Sequence, residues 1–598
     1  MSVRHAASTD DIDPGAGRSP GPGHVSDLTA WIETPLRLDA DGVWVRSDVI
    51  PFAYSDGGDS ERYLDRVLRS ARDLGSNSVE LAATIKDWPS EYHLSPKRAQ
   101  LLRGFAFDPA ASVLEVGCGC GAITRFLGET FDHVLAVDGS HARARLARLR
   151  TRDLSGVEVV QSPFQELRFA TRFDVIFCTG VFEYASMFAS GDDPHEAMVR
   201  DLASLLAPGG ALVLSIENKF GLKYFTSSSE DHTGVMFDSI EGYPRYEHKA
   251  RTFGRAELAE RLGRHFERVD FLYPFPDYKI PSSVLTEDMV ARVDVSELIG
   301  SFTSVDYGNR RRRPLFDEAL AWKELAANRM VPELAHSFLV VASTSADGGL
   351  RFDSLGRLYS DRRRPEFSTL TRFVDGDDGT VQVTKSRTAG GAEFVEGKLR
   401  HRAWSGEWHA GSSLQHTMAR RARARDADLE AMLAPSRVWF EDLRRAANGG
   451  GTVPGDRLDC IWRNCFIVGD ACDYIDQEWE WTEPLPLQLV VARCLYDFAQ
   501  TLTDAPRLSP LIQRWRVDQF IVAAAACYGV TLDRAAMREL VRFEAAFLSQ
   551  VVGGRKVTED DVAAVLRRRL NPRGAQALSG LPRRGVGWLE RRVRRRGR

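Results

Sequence analysis

The sequence predicts an α/β fold in its first half, a doubly wound and largely parallel sheet, followed by a mixed α+β second half. Three observations predict it. From Ser112 to Asn218, short apolar runs (VLEV, VLAVD, VEVVQ, FDVIFCT, ALVLSIEN) alternate with helical stretches, the pattern of βαβ units on a parallel sheet. A glycine-rich turn joins the first of these runs directly to a helix. Beyond residue 366 the pattern changes to hairpins and then to helices. With 598 residues, 43% of them hydrophobic, the chain has apolar material for several cores, which excludes a mainly disordered protein. A formal net charge of −4 gives no electrostatic footprint for nucleic acid, and no such partner is expected.

In chain order, residues 1–26 are rich in Gly, Pro, Ser and Asp and read as a disordered arm. Residues 27–110 form a mixed lead-in with an amphipathic helix over Tyr63–Leu74. Residues 111–345 hold the α/β domain: the five strands above, a helix at Glu257–Leu262, a strand at Val269–Tyr273 and a last strand at His336–Ser343. An irregular insertion, 219–278, reads as a lid or substrate-binding loop. The basic run Arg310–Arg313 precedes helical sequence. The polar stretch 346–366 reads as a linker. Residues 367–570 open with strands Thr369–Phe373 and Val381–Lys385 around a DGDDG turn. They become helical after Gln415, with an extended stretch at Cys465–Val468 and Tyr474–Ile475. A basic tail, 571–598, follows. The eight cysteines are scattered, without matched CxxC halves. Neither a zinc site nor a disulfide framework is expected, and a cytoplasmic protein fits best. The longest apolar run, Phe520–Val530, is far short of the ~20 residues that span a bilayer.

The strongest chemical signal is VLEVGCGCGAITRF, residues 113–126. A buried strand ends in Gly117, Gly119 and Gly121 and opens into a helix. Glycines there permit a tight turn and let a ligand approach the backbone, while the helix N-terminus offers free N–H groups to an anion. A second strand ends about twenty residues later in Asp138, an acid placed to accept both ribose hydroxyls of an adenosine. The turn alone leaves two ligand classes open, because Gly117, Gly119 and Ala122 also satisfy the dinucleotide pattern GxGxxG/A. Cys118 and Cys120 read as small side chains filling the turn.

The remaining motifs decide between them. Glu115 precedes the turn, FDVIFCTGVFEY (173–184) forms the fourth strand, and LLAPGGALVLSIEN (205–218) the fifth. In this order and spacing, residues of about 75–345 resemble the class I S-adenosylmethionine-dependent methyltransferases. The resemblance implies a Rossmann-like methyltransferase domain with S-adenosyl-L-methionine as cofactor. It implies that Gly117, Gly119 and Gly121 pass the methionine moiety and that Glu115 anchors its amino end. Asp138 would hold the ribose, with Gly139 and Ser140 nearby, and Phe164 would flank the adenine. Cys178, Thr179 and Gly180 would lie near the sulfonium. Tyr92 and Arg98, in DWPSEYHLSPKRAQLL (87–102), are placed for the cofactor's carboxylate. The acceptor approaches beyond strands four and five, which nominates Glu183, Tyr184, Glu217, Asn218, Lys219 and His232. Of these, Glu217 and His232 are the candidate bases, which a hydroxyl acceptor requires.

In the second half one constellation stands out, RLDCIWRNCFIVGDACDYIDQEW (457–479). Asp459, Asn464 and Asp476 are spaced as in protein kinase-like and aminoglycoside-phosphotransferase-like enzymes. The resemblance implies that Asp459 orients an acceptor hydroxyl, Asn464 and Asp476 hold Mg beside ATP, and Lys385 pairs with phosphates, supported by Glu393 or Glu396. It departs from that pattern in lacking a glycine-rich phosphate loop, in Arg457 where kinases often carry His, and in Gln477 after the metal-site Asp. A methyltransferase followed by a kinase-like domain is similar to the bifunctional methyltransferase–kinases that cap bacterial O-antigen polysaccharides. That similarity implies a glycan or lipid-linked glycan acceptor in cell-surface polysaccharide synthesis. The alternative is a small-molecule acceptor, with the second half a binding or scaffold module. The tail, with eight arginines in 583–598 around Trp588 and Leu589, suggests peripheral contact with the inner face of the plasma membrane.

Overall fold

The computed structural model describes residues 28–48, 57–188, 191–245, 250–302, 304–307, 314–360, 362–425, 428–503, 505–553 and 556–570. The expected arm 1–26, the run Arg310–Arg313 and the tail 571–598 lie outside the described residues.

Two short strands open the chain, β1 (Leu36–Leu38) and β2 (Trp44–Arg46). The five expected strands follow as β3 (Val113–Val116), β4 (Val134–Asp138), β5 (Val157–Gln161), β6 (Phe173–Thr179) and β7 (Leu206–Glu217), separated by helices Ala122–Thr130, His141–Arg150 and Pro194–Ser204. Then come β8 (Arg268–Phe275), β9 (Ser283–Thr286) and β10 (Ser337–Ser343). Strands β2 to β7 pair in parallel in the order β2-β5-β4-β3-β6-β7, and β10 closes antiparallel between β7 and β8. The chain winds outward from β3 to β5 and then resumes on the other side of β3 with β6. That reversal opens a crevice at the carboxyl ends of β3, β4 and β6, where open α/β sheets bind ligands.

The apolar runs of β3, β4 and β6 are continuous because both faces of the sheet are covered. Leu114, Leu135 and Ile176 pack into one core. Their neighbours Val113, Val134 and Val175 pack into another on the opposite face. Alternation along each strand thus puts successive side chains into two separate layers.

Three features differ from the sequence expectation. The helix expected over Tyr63–Leu74 runs from Gly58 to Ser70 and stops where Ala71 turns extended. The insertion 219–278 is only partly irregular: Leu222–Phe225 and Arg255–Gly263 are helical, and its end is β8. The segment 346–366 is not a linker. Gly356–Tyr359 within it forms β11, which pairs antiparallel with β9 on one side. On its other side lies β12 (Thr369–Asp375). The physical reason lies in Gly356, where an added Cβ would stand 2.8 Å from Leu285 Cδ2 and 3.1 Å from the Val284 carbonyl oxygen. Without a side chain the strands close up.

Strand β13 (Val381–Arg387) continues this sheet, β14 (Glu393–Glu396) and β15 (Leu399–Arg402) form a separate small sheet, and β16 (Trp404–Glu407) is the far edge of the large one. The result is a single 14-stranded mixed sheet running from the first half into the second. Beyond it the chain is mainly helical, packed around its own core with Trp439, Trp462 and Phe498 at the centre. Among the described residues no helix is long and apolar enough to cross a membrane.

Candidate active site

The turn after β3 is fixed from several sides. Gly117, Gly119 and Gly121 take φ of +75°, +55° and +83°, the left-handed region that costs other residues energy. A Cβ on Gly117 would stand 2.3 Å from Val181 Cγ2, and one on Gly121 would stand 2.7 Å from the Ala147 Cα. The Gly117 and Cys118 amides both donate to the Val137 carbonyl, at 2.8 and 3.0 Å. Asp138 completes the lock: its carboxylate accepts from the Gly119 amide at 2.8 Å and from the Ser140 amide at 2.8 Å. The ends of β3 and β4 are thereby held side by side.

A cavity of about 300 Å³ opens over this turn, at the small end of the range for small-molecule sites. Of the residues expected to touch a cofactor, Glu115, Gly117, Gly119, Asp138, Gly139, Phe164, Thr179, Tyr92 and Arg98 line it. Gly121 shapes the turn from behind. Cys178 does not line the cavity: it is fully buried in the core on one face of the sheet, because its neighbour Thr179 takes the outward position. Glu115 Oε2 is buried without a hydrogen-bond partner. Burial first, then the nearby Asp138, pushes the Glu115 carboxyl up to about 7. Arg98 donates to the Lys279 carbonyl at 2.8 Å and to the Tyr92 hydroxyl at 3.2 Å, with its guanidinium 4.2 Å from the Tyr92 ring centre.

The opposite wall holds a dense charged cluster. His232 Nδ1 faces Glu230 Oε1 at 2.9 Å, while Nε2 lies 3.7 Å from Glu183 Oε1 and 3.8 Å from Glu217 Oε2. Lys279 pairs with Glu217 and with Asp231, the latter at 2.6 Å, and Lys223 pairs with Asp231 at 2.9 Å. Burial lowers the imidazole's proton affinity, but Glu217, Glu183 and Glu230 outweigh it and hold His232 well above its usual range. Burial and the Glu217 charge raise Glu183. The aromatic rings of Trp88, Tyr92, Tyr184, Tyr278 and Tyr307 complete the wall, with Trp88 and Tyr307 at 3.8 Å between ring centres.

This corrects four expectations. Glu217 does not line the cavity; it stands behind His232 and Lys279, so it cannot meet an acceptor directly. His232 lines the cavity but is flanked by three carboxylates that keep it protonated, not poised as a base. Asn218 donates to the carbonyls of Glu333 and Ala335, both at 2.8 Å, and Lys219 pairs with Glu257 at 3.0 Å. Both are structural. Sequence reading missed Asp231, Lys223 and Lys279: no local motif marks the first two, and Lys279 joins Asp231 from 48 residues away.

In the second half Asp459, Asn464, Asp476 and Lys385 do converge. Lys385 contacts Asp476 and lies 3.1 Å from Glu478. The Asn464 side chain donates to the Asp459 carbonyl at 3.2 Å. Burial pushes the Asp459 carboxyl up to about 7. Asp476 has φ of +57°. Glu393 and Glu396 are not the partners of Lys385: they pair with Arg400 and Arg364 on the small sheet's outer side. Glu478 takes that place, and Arg363 at 2.6 Å and His401 at 3.1 Å hold it as well. The Lys385 and Arg363 charges outweigh burial and hold Glu478 well below the usual carboxylate range.

With the turn, the acid after β4 and the sheet order in place, comparison with known proteins bears on the first half. Residues 114–212 match the family model described as a methyltransferase domain. The chain carries a class I S-adenosylmethionine-dependent methyltransferase domain. Over 131 residues it is 34% identical to a Ubiquinone biosynthesis O-methyltransferase of Xanthomonas axonopodis pv. citri, covering 21% of this chain and 51% of that protein. Over 116 residues it is 34% identical to Nodulation protein S of Bradyrhizobium diazoefficiens, covering 19% of this chain and 54% of that protein. The crystal structure of N-methyltransferase NodS from Bradyrhizobium japonicum WM9 in complex with S-adenosyl-L-homocysteine is 17% identical. It covers 48% of this chain and 97% of that one, with a TM-score of 0.24. The chain spans about half the length of the curated relatives it matches.

The raised Glu115 carboxyl predicts a pH signature. Glu115 is raised to about 7, so its carboxylate forms fully only above that pH, and an ammonium ligand is held more tightly by the charged form. S-adenosylhomocysteine affinity measured by calorimetry is expected to tighten as pH rises through about 7. Glu115→Gln should remove that dependence and leave a flat, weaker profile. The sign for stability is the reverse: a raised carboxyl stabilises the fold most below its unfolded value and loses that contribution as pH climbs through about 7. The ligand-free Glu115→Gln variant should therefore lose less stability than wild type between pH 5 and 8.

Proposed function

We propose that this protein is an S-adenosylmethionine-dependent methyltransferase whose acceptor is a hydroxyl of a glycan or lipid-linked glycan. The observation that carries it is the single cavity with two unlike walls. One is the Gly117–Gly121 turn with Glu115 and Asp138. The other is the carboxylate–imidazole cluster with its aromatic rings. The first wall fits the cofactor on its own geometry: a buried carboxyl oxygen without a partner beside a left-handed glycine turn that lines the cavity.

Bound S-adenosylmethionine supplies an electrophilic methyl group on a sulfonium. The chain's residues do the rest. Glu115 accepts from the amino end, Asp138 accepts from the ribose hydroxyls, and Phe164 covers the base. Trp88, Tyr92 and Tyr307 offer flat apolar faces, and the acidic groups beside them accept hydroxyl donors, which suits a sugar ring. The hydroxyl's proton leaves toward Glu183, whose Oε2 is buried without a hydrogen-bond partner. Holding the oxygen in line with the methyl group is the main contribution to rate. The same reading places the protein in the cytoplasm, at the inner face of the membrane.

A second activity, phosphoryl transfer, is favoured by residues that span 92 positions of sequence: Lys385 pairs with Asp476, the Asn464 side chain donates to the Asp459 carbonyl, and the Asp476 charge reaches the buried Asp459 carboxyl. In this reading the protein resembles kinase-like enzymes. Asp459 orients an acceptor hydroxyl, Asn464 and Asp476 hold Mg, and Lys385 meets the phosphates of ATP.

Two outcomes test these readings. Asp138→Ala removes charge-assisted hydrogen bonds, each about 1.5–3 kcal/mol. Calorimetry with S-adenosylhomocysteine should show at least about a tenfold loss of affinity; unchanged affinity in a folded variant contradicts the ribose assignment. Asp476→Asn should abolish the thermal shift given by ATP with Mg and leave S-adenosylhomocysteine binding intact. A wild type without any such shift makes the second half a scaffold.

A further inference from the structure

The charged wall of the cavity has a geometry that proton bookkeeping alone does not explain. Glu183 is 1% exposed, Glu217 is fully buried, and one ligating atom from each, with one from His232, lies within 4.8 Å of the others. Glu183 Oε2 is buried without a hydrogen-bond partner, and Glu183 lines the cavity. Glu217 divides its two oxygens: Oε1 meets Lys279 and Oε2 faces His232. His232 divides its nitrogens in the same way, with Nδ1 on Glu230 at 2.9 Å and Nε2 turned toward Glu183 and Glu217. A carboxylate fixing the far nitrogen is how metal-binding imidazoles are held in the correct tautomer and orientation.

We propose that Glu183, Glu217 and His232 Nε2 bind one divalent cation at the edge of this cavity, with Glu183 and His232 lining it and Glu217 behind them. The spacing suits it. Ligand atoms about 2.1 Å from a tetrahedral ion stand about 3.4 Å from one another, and here they stand 3.7 and 3.8 Å from Nε2. The charge balance suits it as well. The linked network holds four carboxylates, Glu183, Glu217, Glu230 and Asp231, against two lysines, Lys223 and Lys279. Two negative charges remain, and a divalent ion beside a neutral imidazole cancels them. Two carboxylates with one imidazole favour a borderline ion such as Mn²⁺ or Zn²⁺. Rather than serving as free bases, Glu183 and His232 then present a Lewis acid to the acceptor oxygen. This last step rests on the methyl-transfer reading above; the binding site itself does not.

The test is an equilibrium titration of the full chain, freed of metal, with Mn²⁺, read by electron paramagnetic resonance. An ion with nitrogen hyperfine coupling from an imidazole is expected, distinct from any held by the oxygen-only set of the second half. Glu183→Gln and His232→Gln should each weaken it at least about tenfold, and His232→Gln should remove the nitrogen coupling. Asp476→Asn, at the acidic cluster of the second half, should leave this ion in place. Absence of a nitrogen-coupled ion in wild type at about 1 mM Mn²⁺ overturns the proposal, whether or not the variants fold. So does affinity unchanged by Glu183→Gln in a folded chain. S-adenosylhomocysteine binding, followed calorimetrically in the same samples, reports separately on the methyltransferase reading.

Discussion

The architecture of the cavity depends on the close approach of β3 and β4 at their carboxyl ends. Asp138 makes this possible. Its two oxygens accept amides from either side, one from the turn after β3 and one from its own strand's continuation. Three left-handed glycines, at alternate positions 117, 119 and 121, let the chain turn within the space that remains. Everything on the cofactor side follows: the orientation of Glu115, the helix starting at Ala122, and the room over Val181. An alanine at Gly117 or Gly121 would have to displace packed neighbours, so the turn is held by sterics as much as by hydrogen bonds.

The other side of the cavity is built on a different principle. It is assembled from the ends of β6 and β7, the stretch around Asp231 and the loop after β8, joined by ion pairs instead of backbone ladders. Buried charges are costly unless paired, and here almost every one is: Lys223 and Lys279 hold Asp231, and Lys279 also holds Glu217. The residual negative charge around Glu183 is where chemistry can enter. The same contrast recurs in the second half, where Lys385 and Arg363 neutralise Glu478 while Asp459 stays buried with a raised carboxyl.

The glycine-turn wall was legible in the sequence because its parts are local. A strand, a glycine turn and an acid ending the next strand lie within 26 residues, Val113 to Asp138, and backbone periodicity sets their geometry. The acceptor wall was only partly legible. His232 and Glu217 stand out by residue type, yet only tertiary contacts show that Glu217 is screened by Lys279 and that Lys219 turns away to Glu257. Periodicity also misjudged the join between the halves. The polar stretch 346–366 looks like a linker, but the edge left open by β9 pairs with Gly356–Tyr359 and draws the second half into one sheet. A strand of four residues with polar flanks carries too little signal to compete with the Gly and Arg around it.

A crystal structure with S-adenosylhomocysteine checks whether the turn after β3 and Asp138 bind the adenosyl cofactor across from the charged cluster. The ribose hydroxyls are expected on Asp138, the amino group at Glu115, the adenine against Phe164 and the sulfur directed toward Glu183. A ligand seated elsewhere, or one over the turn with its sulfur facing away from the Glu183–His232 wall, would contradict this placement.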